Sequence, residues 1–198
     1  MRRWLCLGMT VALGVLLFGC EPQVSLFPLF TQDDKVFDKQ LLGEWQIWTG
    51  TEPKEGQTLG LIVFSASKEE YFYDVKMPDF DGSTLRSEAR LVKLRDYVFI
   101  DFGTPFGEKF PEIPYPIVEG HVFGRLTLDG EKGRIDLLND DWVKETIEAG
   151  KMSLAFHDAS CIVLSAGTFD LRKFALEHAE DRRAFSQTYT LSRKKGTE

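Results

Sequence analysis

The chain has 198 residues, a length that suits one domain with a hydrophobic core of its own. Acidic residues outnumber basic residues by 31 to 24, and the formal net charge is −7. Because nucleic acids and anionic lipid surfaces are themselves negative, this balance disfavours nucleic acid as a partner and disfavours flat docking on anionic lipid.

The first predicted element is a secretory signal over residues 1–19. Two arginines precede an apolar run over residues 5–18, which is shorter than the ~20 residues that a membrane-spanning helix needs. The run leads into the tetrapeptide LFGC, which resembles the lipobox of bacterial lipoproteins. The resemblance implies cleavage before Cys20, acylation of Cys20, and a protein that is lipid-anchored in the bacterial envelope and faces the periplasm. A cleaved signal without acylation is the alternative, and the choice between inner and outer membrane stays open.

The cysteines exclude a disulfide framework. Cys6 would leave with the predicted signal and Cys20 would be acylated, so Cys161 would have no partner. Apolar neighbours at 162–164 predict that Cys161 is a buried core residue.

Residues 20–35 are predicted to form the lipidated cysteine and a tether, and residues 36–195 a single β domain. The segment 28–45 resembles the opening of a group of uncharacterised bacterial lipoproteins, in which a PLYT…VFDPxLLGxW segment follows the anchor. Gly43-Glu44-Trp45 is also similar to the Gly-x-Trp signature that opens the first strand of lipocalin-like barrels.

Alternation of apolar and polar residues independently predicts about nine short, antiparallel strands. They are expected at residues 44–49, 58–65, 71–77, 85–91, 97–102, 118–128, 134–138, 161–165 and 188–193, with a hairpin turn at 129–133. Residues 58–65 are apolar on both faces of the predicted strand, so both faces are expected to be covered by other parts of the protein. A slip in the alternation at Leu91 and Val92 predicts a bulge or bend.

Two helices are predicted late in the chain. The first covers residues 140–149, with acidic residues in its first turn and Gly150 at its end. The second covers residues 168–183, with Thr168 as its N-cap and with His178 packed on its apolar stripe. The predicted fold class is therefore mainly β, an antiparallel lipocalin-like β-barrel or closed sandwich with two flanking α-helices.

The two ends of the domain are expected to meet. Tyr189, Leu191 and Arg193 share one face of the last strand, and the first two are expected to point inward. In lipocalin-like folds a basic residue of the last strand stacks over the Gly-x-Trp indole, so the resemblance implies that Arg193 lies on Trp45. The alternative is an Arg193 exposed to solvent beside Lys194.

The segment 103–117 is the candidate ligand or partner loop. It carries four prolines together with Phe106, Phe110 and Tyr115. A connection of this length inside a compact domain is often functional, here as a lid over the barrel or a docking edge for a protein. The alternative is that Phe106 and Phe110 plug one end of the barrel. His121 follows the loop and is predicted to point away from the interior, which makes it a candidate site residue.

The sequence contains no pattern that indicates a metal, a cofactor or a catalytic nucleophile. No H-x-x-x-H, C-x-x-C or G-x-S-x-G motif is present, and His157 beside Asp158 is expected to be exposed in a turn. Three functions remain open. They are binding of a small apolar or amphipathic ligand in the barrel, a protein–protein adaptor role in the envelope through residues 103–117, and an enzymatic activity without a recognisable motif.

Overall fold

The computed structural model describes residues 24–51, 58–78, 84–103, 106–107, 120–158 and 162–194. Within these residues the chain forms a closed antiparallel barrel of eight strands, four shorter strands and two α-helices. The predicted fold class, a mainly β lipocalin-like barrel with two flanking helices, is confirmed. The predicted signal, Cys20 and Cys161 lie outside the described residues.

Eight long strands form the barrel, and four shorter strands extend or flank its sheet within the described part of the chain. In chain order the strands are β1 (Val24–Ser25), β2 (Gly43–Thr49), β3 (Thr58–Ala66), β4 (Phe72–Pro78), β5 (Thr84–Leu94), β6 (Tyr97–Gly103), β7 (Phe106–Gly107), β8 (His121–Asp129), β9 (Lys132–Leu138), β10 (Phe156–Asp158), β11 (Ile162–Leu164) and β12 (Phe185–Arg193). The barrel runs in the order β9–β12–β2–β3–β4–β5–β6–β8 and closes where β8 pairs with β9. Beyond β8 the sheet continues through β1, β11 and β10, whereas β7 pairs with β5.

The barrel interior is packed with the side chains of its own strands. Because successive residues of a strand point to opposite faces, every second residue contributes to this core. Trp45, Phe64, Tyr73, Leu91 and Ile100 are each at most 1% exposed and belong to one contact cluster. An eight-stranded barrel is narrow enough for such side chains to fill it.

One end of the barrel is closed by a short 3-10 helix, Lys39–Leu41. The indole nitrogen of Trp45 donates a hydrogen bond to the Leu41 carbonyl at 2.8 Å. Gly43 enters β2 with a φ of +115°, and a Cβ at this position would lie 2.8 Å from a guanidinium nitrogen of Arg193. Glycine is therefore favoured at position 43 by its backbone conformation, and a side chain here would also displace the Arg193 guanidinium.

Both helices cover the outer face of the barrel and form a second core with it. The helices are α1 (Asp140–Glu148) and α2 (Thr168–Glu177). The Asn139 side chain caps α1 by accepting a hydrogen bond from the Trp142 amide at 2.8 Å. Leu171 and Phe174 of α2 pack with outward-facing residues of β6 and β12, such as Phe99 and Phe185. In the described part of the chain, neither helix has the length and apolar character needed to cross a membrane.

The predicted bulge at Leu91 and Val92 is wrong. Strand β5 pairs with β6 from Ala89 to Leu94 without a shift in register. Leu91 points into the barrel core and Val92 into the helix-covered core, and both are 0% exposed. Two consecutive apolar residues thus reflect a strand buried on both faces, not a change of phase.

The prediction that residues 58–65 are covered on both faces is also wrong for the described structure. Ile62 and Phe64 are buried inside the barrel, whereas Leu59 and Leu61 on the opposite face are 42% and 36% exposed. Neither helix lies on this side of the sheet, because the helix-covered core contains no residue of β3.

The second helix is shorter than predicted and is capped differently. It ends at Glu177 instead of residue 183, and its N-cap position is Gly167, which makes no side-chain capping bond. The Thr168 hydroxyl donates instead to the Pro28 carbonyl at 2.7 Å. The Thr168 hydroxyl, predicted to cap the helix, therefore makes a tertiary hydrogen bond instead.

Part of the segment predicted as a tether is packed against the barrel. Val24 and Ser25 form β1 between β8 and β11, and Leu29 is fully buried in the helix-covered core. This folding back of residues 24–36 places Phe30 and Asp34 on the outer face of β4 and β5.

Candidate functional site

The structure describes only some of the predicted site residues. Cys20, Phe110 and Tyr115 lie outside the described residues. Phe106 belongs to β7 and pairs with Arg86 of β5, and His121 begins β8. The described parts of the candidate loop region are therefore its β7 pair beside β5 and its end at the start of β8.

Arg193 and Trp45 are brought together at the closed end. The guanidinium carbon lies 4.2 Å from the Trp45 ring centroid, a cation–π distance. The two terminal nitrogens donate to the carbonyls of Leu42, at 2.8 Å, and Gln40. Every one of these contacts is with the protein itself, so this pair stabilises the fold.

The candidate site is a cleft of about 820 Å³ on the outer face of the barrel, not inside it. Outward-facing side chains of β4, β5, β6 and β8 form its floor, and Phe30 of the N-terminal segment forms one wall. The residues that line it include Phe30, Phe72, Arg90, Asp101 and His121.

Strand register explains why the polar residues of the cleft converge. Arg90 of β5 pairs directly with Asp101 of β6, and Gly103 of β6 pairs with His121 of β8. Ala89, Ile100 and Val122 belong to the barrel core, so their neighbours Arg90, Asp101 and His121 point to the other face.

Asp101 and His121 form a hydrogen-bonded pair at the base of the cleft. The Asp101 carboxylate is 0% exposed, and its Oδ1 lies 2.9 Å from His121 Nδ1. Its Oδ2 accepts a hydrogen bond from the Leu29 amide at 2.5 Å. Because a carboxylate can only accept, Nδ1 of His121 is the nitrogen that donates, and Nε2 is left to bond elsewhere.

Arg90 is held between two aromatic rings beside this pair. Its guanidinium carbon lies 5.0 Å from the Phe30 centroid and 4.8 Å from the Phe72 centroid. One terminal nitrogen donates to the Asp34 carbonyl, whereas the buried Nε has no hydrogen-bond partner within the described structure. An unpaired buried donor costs about 1–3 kcal/mol, so an acceptor supplied by a ligand would be favourable here.

The cleft combines both signs of charge with an apolar wall. Lys76 and Arg86 accompany Arg90, and Asp74 and Glu88 accompany Asp101. Phe30 contacts both Phe72 and the His121 ring edge-on, at centroid distances of 5.5 and 5.9 Å. The arrangement suits a molecule with a polar group and an apolar part.

Asp34 fastens the N-terminal segment next to the cleft. Its carboxylate lies 2.6 Å from a guanidinium nitrogen of Arg172 in α2 and accepts a hydrogen bond from the Thr31 amide at 2.7 Å. Burial alone would raise the pKa of Asp34, but the hydrogen bonds and the positive charge of Arg172 hold this pKa below its ordinary value. The ionised form of Asp34 thus helps to keep Phe30 in place.

Burial also favours the neutral form of a tyrosine of the interior, and there it decides the direction of the pKa shift. The Tyr73 hydroxyl accepts from the Asp38 amide at 2.7 Å and donates to the Asp38 carbonyl at 3.1 Å. Burial raises the pKa of Tyr73 to about 12. Tyr73 is therefore a neutral structural residue of the closed core.

The other two histidines are not part of the cleft. His178 is half-buried and packs against the rings of Trp142 and Phe174, at centroid distances of 5.0 and 4.7 Å. His157 is exposed as predicted, but it lies in β10 and not in a turn. Among the described residues, no group of three or more His, Cys, Asp or Glu side chains is placed to hold a metal ion.

Sequence reasoning identified His121 but missed Arg90, Asp101 and Phe30. Asp101 carries a usable signal, because it is an acid within the otherwise apolar strand YVFIDFG and a buried acid needs a partner. Phe30 has no comparable local signal, since its role depends on residues 24–36 folding back over the barrel.

Searches with protein-family models, against curated proteins and against solved structures found no match for this chain. The functional interpretation therefore depends on the geometry of the chain itself. A β-barrel is present, and its architecture is compatible with ligand binding.

Proposed function

We propose that this protein is a lipid-anchored lipoprotein of the bacterial envelope that binds a small amphipathic ligand in the outer-face cleft. The observation that carries the binding proposal is Arg90, a buried guanidinium in the wall of an 820 Å³ cleft whose Nε has no partner within the described structure. A ligand acceptor at Nε would satisfy that donor.

The contacts assign a role to each part of the ligand. Its anionic or hydrogen-bond-accepting group lies against Arg90, with His121 Nε2 as a second polar contact. Its apolar part packs on Phe30 and Phe72, whose rings already enclose Arg90. The packed interior around Trp45 and Tyr73 makes the outer face a better site than the barrel lumen.

Native mass spectrometry of the full-length protein, purified from a bacterial envelope in mild detergent, tests the binding proposal. The wild-type protein is expected to carry an extra mass that is released on denaturation. Ser65→Trp, at an exposed position lining the cleft, is expected to remove this mass by filling the site. Thr127→Trp is the matched control, because Thr127 is also exposed on an outer strand face but does not line the cleft.

Two arginine variants sharpen the test. Arg90→Lys is expected to weaken binding at least tenfold, since an ammonium cannot reproduce the planar donor array between two rings. Arg125→Lys is the control, because Arg125 is another largely buried outer-face arginine that pairs with Asp136 at 3.1 Å and lies outside the cleft. Equal retention of the extra mass in all four variants, or a wild-type protein without any, would refute the cleft as a binding site.

The anchoring part of the proposal comes from the lipobox-like sequence at residues 17–20 and has its own test. Mass spectrometry of the mature N-terminus is expected to show removal of residues 1–19 and acyl groups on Cys20. Cys20→Ala is expected to abolish acylation and release the protein from the membrane fraction. A mature chain that begins elsewhere, or an unmodified Cys20, would contradict this part alone.

A further inference from the structure

Three large apolar side chains are exposed around the start of the described chain. Leu26 is 37% exposed, Phe27 is 46% exposed, and Phe169 in the first turn of α2 is 80% exposed. The hydrogen bond from the Thr168 hydroxyl to the Pro28 carbonyl, 2.7 Å long, joins the two segments that carry them. These three residues are called the apolar tip below.

The apolar tip lies close to the predicted anchor. The described chain begins at Val24, four residues after Cys20. An extended chain spans at most ~3.5 Å per residue, so Cys20 lies within about 14 Å of Val24. A bilayer that holds acyl groups on Cys20 must therefore pass near Leu26 and Phe27.

The charges beside the apolar tip do not form a basic surface that would attract anionic lipid. They are compatible with insertion of the apolar side chains into a bilayer. Asp170 and Lys173 are both exposed on α2 next to Phe169, so the two signs balance there. Isolated aromatic and aliphatic side chains insert into the region between lipid headgroups and acyl chains without needing anionic lipid.

We infer that Leu26, Phe27 and Phe169 insert shallowly into the phospholipid bilayer that anchors Cys20 and thereby fix the orientation of the domain on the membrane. This inference rests on the acylation of Cys20 in the proposed function. It has a consequence for the cleft: Ser25, next to Leu26, pairs directly with His121, so the His121 edge of the cleft faces the membrane side.

Site-specific fluorescence on the full-length acylated protein tests this orientation. In a Cys161→Ser background, Phe169→Cys and Glu131→Cys each carry an environment-sensitive fluorophore, and the protein is reconstituted into phosphatidylcholine vesicles with and without brominated lipid. Glu131 is the matched control because it is exposed in the turn beyond the far end of β8, about 27 Å along that strand from His121.

The label at residue 169 is expected to emit at shorter wavelength and to be quenched by brominated lipid, whereas the label at residue 131 is not. Adding Phe27→Asp to the Phe169→Cys protein is expected to remove most of the quenching, because a carboxylate resists burial in lipid. Both labelled positions are exposed, so circular dichroism is expected to show an unchanged fold.

The outcomes separate this inference from the proposed function. Acylated Cys20 with equal quenching at residues 169 and 131 would overturn the membrane-facing tip and leave the anchor intact. An unmodified Cys20 in the same preparation, established by its mass, would overturn both the anchor and the tip. Quenching at residue 169 that does not respond to Phe27→Asp would exclude Phe27 from the contact and so overturn the three-residue surface as defined.

Discussion

Within the described residues, two arginines lie against aromatic rings, and their surroundings differ. Arg193 lies 4.2 Å from the Trp45 ring at the closed end of the barrel, and its terminal nitrogens donate to backbone carbonyls. Arg90 lies between Phe30 and Phe72 on the outer face, and its Nε has no partner within the described structure. The contact of an arginine with an aromatic ring thus stabilises the fold at Arg193, whereas at Arg90 it leaves one hydrogen-bond donor for a ligand.

The two regions also differ in what stabilises them. The closed end depends mainly on apolar burial and neutral hydrogen bonds, as the fully buried Trp45 and Tyr73 show, and Arg193 adds its contacts with the Trp45 ring and two backbone carbonyls. The cleft wall depends on charged groups, including the pair between Asp34 and Arg172. Substitutions at the closed end should therefore reduce stability strongly, and substitutions at the cleft wall should act weakly and with a different pH dependence.

The largest expected effect is at the closed end. Trp45→Ala is expected to lower the free energy of unfolding by about 3–5 kcal/mol, because it leaves a cavity in a packed core. Urea denaturation monitored by circular dichroism measures the change. The half-buried Trp48 in the same strand provides the control, and Trp48→Ala should cost clearly less. Equal losses for the two variants would contradict a packed closed end.

The second effect concerns Arg193. Arg193→Ala is expected to lower the free energy of unfolding by about 2 kcal/mol, since it removes a cation–π contact and two charged hydrogen bonds to carbonyls. Arg193→Lys is expected to recover only part of the loss, because an ammonium cannot stack on the indole and reach both carbonyls together. Full recovery by lysine, measured in the same urea series, would show that charge alone is what matters.

The third effect concerns Tyr73 in the barrel interior, whose contribution to stability depends on alkaline pH. Tyr73→Phe is expected to cost about 1.5 kcal/mol at neutral pH through lost hydrogen bonds to Asp38. The folded protein holds the Tyr73 proton more tightly than the unfolded chain, so this stabilisation is complete below pH 10 and falls as the pH rises towards about 12. Thermal unfolding across this window should show a shallower decline for Tyr73→Phe than for the wild type. Parallel declines would contradict a buried, neutral Tyr73.

The smallest expected effect concerns Asp34 at the cleft wall, whose contribution to stability depends on acidic pH. Asp34→Asn is expected to cost about 1 kcal/mol at neutral pH, because asparagine keeps the shape but not the charge facing Arg172. The pKa of Asp34 is lower in the folded protein than its ordinary value of 3.8. Ionised Asp34 therefore stabilises the fold at pH values above 3.8, and this stabilisation is lost as the pH falls below 3.8. The difference between the wild type and Asp34→Asn should therefore shrink on acidification. A constant difference in urea midpoints through this window would argue against an ionised Asp34.

The barrel could be predicted from local sequence because its signals are local. Alternation in strands such as residues 71–77 and 85–91 identified the interior, and the Gly-x-Trp segment with Arg193 identified the meeting of the two ends. The alternation depends only on the spacing of residues within one strand, whereas the contact between Arg193 and Trp45 was implied by the resemblance to lipocalin-like barrels. Period-two alternation is sufficient to assign such faces.

The cleft could not be predicted in the same way because its parts come from distant segments. Phe30, Arg90, Asp101 and His121 meet only after the N-terminal segment folds over the barrel and after three strands take their register. The slip at Leu91 and Val92, which predicted a bulge or bend, misled for a related reason: local sequence does not reveal that helices cover the outer face of β5. The exposed Leu59 shows the opposite case, an apolar face without a covering element among the described residues.

A crystal structure of the acylated protein, purified from the bacterial envelope in mild detergent without stripping small molecules, tests the central claim most directly. Electron density for a small molecule is expected in the outer-face cleft, with an acceptor atom within hydrogen-bond distance of Arg90 Nε and an apolar part on Phe30 and Phe72. A cleft filled by residues 108–119 of the chain, or a molecule bound inside the barrel between Trp45 and Tyr73, would contradict ligand binding in the cleft.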